Sequence, residues 1–184
     1  GLLGQAIKRG DRSDAHDLAR RAWRLRPDSA WAVDVLFDLE AKDGRWLDAK
    51  ATLGEAVRRG ALAKETARRR ESALLVELAR EAQAGGRAEE ARRLAGEAHR
   101  LQPASVPAAE AYARAPLEGG KSRKAVSAIE RTFALEPHPG LAELYPRARG
   151  ATDELSRARE VRRLTQAQPA HPESRVALAR ALVA

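Results

Sequence analysis

Small residues recur in this chain at a spacing of 34, and that period restricts the folds open to it more than any other feature. Gly10, Ala15 and Ala22 in RGDRSDAHDLARRAWRLRPDSA return as Gly44, Ala49 and Ala56 in DGRWLDAKATLGEAVRRGAL, each 34 residues on. After eight inserted residues the set resumes as Gly86, Ala91, Ala98 and Pro103, and 34 later it reads Gly120, Ala125, Thr132 and Pro137. Pro27, Pro103, Pro137 and Pro169 each close a unit, the last after 32 residues. A period of this length marks a small structural unit that cannot bury its apolar face alone and stacks on its neighbours.

The spacing within a unit defines the unit. A helix of about a dozen residues runs to a tight Gly-containing turn, a second helix follows, and Pro ends it. The recurrent alanines fall at i and i+7 on the second helix, which returns them to one face after two turns and lets neighbouring helices approach closely. Leu18, Leu53, Leu94 and Ile129 supply apolar bulk near that face. First helices are predicted near 1–9, 30–43, 64–84, 106–118 and 138–148, second helices near 12–25, 46–59, 88–101, 122–135 and 152–167, and a last helix near 173–183. The third first helix is long because ALAKETARRRESALLVELAREAQA holds neither Gly nor Pro, so the inserted residues add about two turns. Pro116 is expected to kink or shorten the next one.

Composition agrees with thin helical layers. Aromatic residues are only 4% of the chain, too few to fill a thick centre. Absence of cysteine removes disulfides and thiolate metal sites, and fits a reducing compartment. The chain also lacks Met and starts at Gly1, so it is expected to be a piece of a longer protein. No run approaches the roughly 20 apolar residues of a membrane span. The net charge of +8 does not by itself indicate nucleic acid, because 26 acidic residues are interspersed with 34 basic ones at helical spacings such as Glu89 with Arg93 and Glu154 with Arg157.

Residues able to carry chemistry are sparse. His16, His99, His138 and His171 show no metal-ligand spacing, two of them precede a proline, and exposed positions in turns account for them. Gly85 with Gly86 and Gly119 with Gly120 join helix to helix and open no phosphate loop. No serine, histidine and acid set suggests a nucleophile. No catalytic, cofactor or metal site is assigned, and the pattern points to a non-catalytic chain.

The 34-residue period, the Gly and Ala slots and the closing Pro resemble the tetratricopeptide repeat, although the Trp usual in the first helix is missing from most units. The resemblance implies an all-α, right-handed superhelix of about five helical hairpins plus a C-terminal helix, forming one repeat domain over 1–184, with units at 1–29, 30–63, 64–105, 106–137 and 138–170 and a final helix at 171–184. It also implies a concave groove lined by first helices, where such proteins bind peptides. In this register the groove slots are Trp31, Asp34, Asp38 and Lys42 in the second unit, Val76, Arg80 and Gln83 in the third, and Glu110 and Arg114 in the fourth. A charged stripe of this kind is by itself a solvated face; Trp31 is the natural anchor of a groove if it is exposed there, and a packing residue between the first two units if it is not. Asp34 and Asp38 stand where co-chaperones of this superfamily hold a chaperone's C-terminal carboxylate with cations, so that activity is disfavoured.

A narrower resemblance rests on GLLGQAIKRGD, RRRESALLVELAREA, EAHRLQPASVPAAEAYAR, LEPHPGLAELY and HPESRVALARAL. Together these phrases are similar to the C-terminal repeat region of the proteobacterial HemY proteins, which carry two N-terminal membrane helices and are linked to haem biosynthesis. The implied chain is the soluble part of a protein anchored on the cytoplasmic side of the bacterial inner membrane. Between Lys8 and Arg26, seven basic residues stand against three acidic ones, which agrees with the positive-inside tendency next to a preceding span. The expected function is a scaffold for protein partners, among them haem-pathway enzymes. The alternatives are self-association through Val176, Leu178, Leu182 and Val183 of the last helix, or carriage of a tetrapyrrole. No cofactor is expected, and no nucleic-acid partner.

Overall fold

A computed structural model describes residues 12–114 and 123–183. The predicted helix over 1–9, the Gly119 and Gly120 turn and the bend at Pro116 lie outside these residues. Among the described residues there are ten α-helices and no strand. They are α1 (Arg12–Leu25), α2 (Ala30–Lys42), α3 (Trp46–Arg58), α4 (Lys64–Ala84), α5 (Ala88–Leu101), α6 (Val106–Arg114), α7 (Arg123–Leu135), α8 (Pro139–Ala148), α9 (Glu154–Thr165) and α10 (Pro172–Val183). The alternation of first and second helices is thus as the period predicts, and α4 carries the inserted residues as extra turns.

Local chemistry sets the helix ends. Gly44 between α2 and α3 and Gly86 between α4 and α5 have φ of 68° and 73°, a left-handed backbone in which a Cβ costs about 1–2 kcal/mol. Around Gly44 the amide of Arg45 donates to the Glu40 carbonyl at 2.8 Å and that of Gly44 to the Ala41 carbonyl at 3.1 Å. These crossed bonds satisfy carbonyls that the helix end leaves free, and the pattern repeats at Gly86 with Arg87 to Ala82 and Gly86 to Gln83. At the other ends, Ser29 accepts the Ala32 amide, and Asp153 with Ser156 forms a reciprocal capping box before α9.

The chain divides into two compact units, Gly1–Leu74 and Leu75–Ala184, with α4 running through the division. In the first unit, Ala15, Ala19 and Trp23 of α1 pack against Ala32, Val33 and Leu36 of α2 and Ala56 of α3. A smaller cluster joins Ala49, Leu53 and Leu74. In the second unit, Leu75, Val76, Ala79 and Ala82 of α4 meet Ala91, Leu94, Ala95 and Ala98 of α5 and Ala108 of α6. Beyond them Phe133, Ile129, Leu141, Tyr145 and Leu164 centre a second cluster.

The alanine slots are contact points between helices. Ala49, Ala56, Ala98 and Ala125 are fully buried, and Ala91 is nearly so. Thr132, the one departure from alanine among the matched slots, is also fully buried. Its hydroxyl donates to the Pro103 carbonyl at 2.8 Å and accepts from His99 Nε2 at 2.9 Å, so the larger side chain ties α7 to the end of α5. The single hydroxyl proton goes to the carbonyl, which can only accept, and this places a proton on His99 Nε2. Overpacking should show at the small slots: Ala91→Leu is expected to destabilise by about 1–3 kcal/mol in urea unfolding, and an unchanged midpoint would place Ala91 away from the α4–α5 contact.

The surface charges pair with a shifted register. Glu89 pairs with Arg92 and Arg93 with Glu97, in place of the expected Glu89 with Arg93. No helix among the described residues is long and apolar enough to cross a membrane.

Candidate functional site

In the first unit the exposed stripe runs along α2. Trp31 is 60% exposed, and Asp38 and Lys42 are exposed as well. Asp34 is engaged: Arg70 Nη1 of α4 donates to its Oδ1 at 2.7 Å, and the Arg70 guanidinium lies 5.1 Å from the centre of the Phe37 ring. The second unit holds the other candidates. Arg80 and Gln83 of α4 and Arg114 of α6 line one cleft of about 60 Å³ with Ala79, Ala91, Pro107 and Ala111. Arg80 pairs with Glu77 at 2.5 Å and Arg114 with Glu110 at 3.0 Å, while Gln83 Nε2 reaches the Arg114 carbonyl at 3.5 Å. Glu110 also lies 3.7 Å from His138 Nδ1.

Val76 is corrected. It is only 2% exposed and belongs to the α4–α5–α6 core, because α4 is covered over a wider arc than α2 and the slot that holds half-exposed Asp34 turns inward. The histidines are corrected too. His16 and His99 are 8% exposed within α1 and α5, not exposed in turns. Burial, reinforced by the Arg131 charge, lowers the His99 pKa below its usual 6.5. His138 and His171 do stand in turns, where Nδ1 of each accepts an amide of the following helix, from Gly140 and Glu173.

Two features were not anticipated. The first is a carboxylate sealed inside the first unit. Glu40 of α2 has no exposed surface; its Oε2 accepts the Thr52 hydroxyl at 2.7 Å, and its Oε1 lies 3.3 Å from His16 Nε2 and 3.4 Å from Arg20 Nη2. Arg45 Nη1 also lies 3.2 Å from His16 Nε2. That nitrogen cannot both donate to the carboxylate and accept from the guanidinium. A buried carboxylate can only accept, so Nε2 is the donor to Glu40, and Arg45, whose Nη2 and Nε are bonded to Asp48 at 2.8 and 2.9 Å, only packs beside the ring through Nη1.

The second is a cleft of about 510 Å³ between α8, α9 and α10. Its floor is Ala142, Pro146, Val161 and Ala177, and its rim carries Arg147, Arg157 and Arg180 with Glu143 and Glu154. All five rim groups are exposed. The volume is that of a small ligand or a few residues of peptide. Among the described residues no group of three or more His, Asp or Glu is placed to hold a metal ion.

No protein-family model matches the chain, and no curated protein does. Solved structures do. A thermophilic TPR protein of Thermus thermophilus is 24% identical, with 100% of this chain and 96% of that one covered at a TM-score of 0.43. YrrB, described as a TPR protein with an unusual peptide-binding site, is 14% identical, with 95% of this chain and 87% of that one covered at a TM-score of 0.52. The fold is that of the tetratricopeptide-repeat proteins. In a tetratricopeptide frame α2, α4, α6, α8 and α10 are first helices and α1, α3, α5, α7 and α9 second helices. Every sequence-predicted site residue lies on a first helix, and so do most residues of the unanticipated cleft.

Proposed function

We propose that the chain is a protein-interaction scaffold whose first-helix faces hold segments of other proteins. The observation that carries this reading is the contrast on α2, where a Trp 60% exposed shares a face with Asp38 and Lys42, while Trp23 on second helix α1 is 5% exposed. A large aromatic left in water is costly unless something covers it, and it is the side chain that most often anchors a protein partner. The same-fold protein with a peptide-binding site supports the reading by analogy. The narrower reading, a HemY-type scaffold for haem-pathway enzymes held at the inner membrane by a preceding anchor, rests on the sequence phrases.

The test is capture of partners by the chain with its faces altered. Trp31→Ala is expected to speed dissociation about tenfold, and Arg80→Glu to slow association more at low salt than at high salt. Arg58→Glu on α3 and Arg162→Glu on α9 should leave both rates within about twofold. Loss of capture only with the α3 and α9 variants would move the binding surface to the second helices.

A second reading, self-association, is favoured by α10, where Val176, Leu182 and Val183 are 42%, 58% and 88% exposed. Sedimentation velocity over a range of concentrations separates the two readings, because only the second makes mass depend on concentration.

A further inference from the structure

One arginine recurs on each first helix of the second unit. Arg80, Arg114, Arg147 and Arg180 follow one another at 34, 33 and 33 residues, on α4, α6, α8 and α10. The register is fixed independently by the aromatic two positions before the arginine, Tyr112 in α6 and Tyr145 in α8, also 33 apart. The structure agrees with the arithmetic. Arg80 and Arg114 flank the small α4–α6 cleft, and Arg147 and Arg180 flank the large α8–α10 cleft. All four are exposed.

We propose that these four arginines form a ladder that binds an extended acidic segment of a partner protein, with its carboxylates about every third residue. The proposal rests on the scaffold reading and names the partner's chemistry. Packed helices lie about 8–10 Å apart. A polyproline-type strand rises 3.1 Å per residue with three residues per turn, so every third side chain points the same way at intervals of about 9 Å. One carboxylate per rung then meets one guanidinium, a pairing whose hydrogen bonds are charge-assisted and often bidentate.

The rungs differ in readiness. Arg80 and Arg114 are held by Glu77 and Glu110, which a ligand must displace. Arg147 and Arg180 form no ion pair within the described residues and stand beside Arg157 over an apolar floor, so the α8–α10 end is where binding starts. The small residues beneath, Ala142, Pro146 and Ala177, leave room for a small apolar side chain between acidic ones. A nucleic-acid strand fits less well. Its continuous phosphates would pass Glu143 and Glu154 in the same cleft and Glu77 and Glu110 along the ladder, whereas an acidic peptide sets its charges at intervals.

The experiment is fluorescence anisotropy on the full chain with a labelled, end-blocked peptide of about four Glu-Pro-Ser repeats. Binding is expected to weaken with salt, and to fall about tenfold or more for Arg147→Glu with Arg180→Glu. It should fall about as much when the peptide's Glu residues become Gln, and change less than about twofold for Arg162→Glu. A peptide of the same composition with its Glu residues adjacent should also bind several-fold more weakly. The ladder is overturned if the Gln peptide or the clustered peptide binds as tightly, or if Arg147→Glu with Arg180→Glu leaves affinity unchanged. It is overturned as well if a single-stranded oligonucleotide binds more tightly than the peptide at the same salt. Tight binding of the Gln peptide that is still lost on changing first-helix residues removes only the acidic partner and leaves the scaffold reading standing. Binding lost only with Arg162→Glu removes both.

Discussion

Phe133→Ala should destabilise the second unit by about 3–5 kcal/mol, the range for truncating a large aromatic in a packed core. Phe133 is fully buried on α7, in the cluster that also holds Ile129, Leu141, Tyr145 and Leu164. In a core made mostly of alanine each large side chain accounts for an unusual share of the buried area, and the helices cannot collapse into the space it leaves without breaking the alanine contacts around it. The cost therefore lies near the full transfer and cavity value. The effect should also reach function, since α8, which carries Arg147 and one wall of the large cleft, packs against α7. Urea unfolding is the measurement. A change under about 1 kcal/mol would mean that Phe133 has room to be replaced by its neighbours, contrary to its packing.

The sequence made most of the fold legible because punctuation and period agree. Gly44 and Gly86 mark the first turn of a hairpin through their backbone, Pro27, Pro103 and Pro137 mark its end, and the alanine slots fix the face between them. Predicted helix ends accordingly fall within two residues of the observed ones wherever those are described. The site was less legible. Periodicity transfers a position from unit to unit but not its surroundings, so Val76 inherited a surface role from Asp34 although α4 is covered by both α5 and α6 there. His16 and His99 gave no pattern to read, because their partners lie 24 and 33 residues away. The α8–α10 cleft comes from missing bulk at Ala142, Pro146 and Ala177, and an absent side chain leaves no mark on a search for chemical groups.

Glu40→Ala should cost the first unit about 2–4 kcal/mol, more than any exposed charge in it. By register Glu40 stands where the next unit has Ala82, 42 residues on, and both positions are fully buried. A carboxylate in an alanine slot survives only if its charge and lone pairs are answered, and here α1 and α3 supply the answers through His16, Arg20 and Thr52. Alanine restores the small residue of the repeat but leaves those groups behind. Arg20 is 42% exposed and can turn to water, so its loss is modest; the Thr52 hydroxyl is buried and cannot. The larger part of the cost is therefore the stranded hydroxyl together with the cavity left by the glutamate stem. Glu40→Gln keeps the volume and an acceptor for Thr52, and should cost only about 1 kcal/mol. The decisive variant is Glu40→Ala combined with Thr52→Ala: removing the stranded donor should make the double variant less damaged than the sum of the singles, by about 1 kcal/mol. Strict additivity in urea unfolding would show that the Thr52 hydroxyl finds another partner, and that the carboxylate is held from α1 alone.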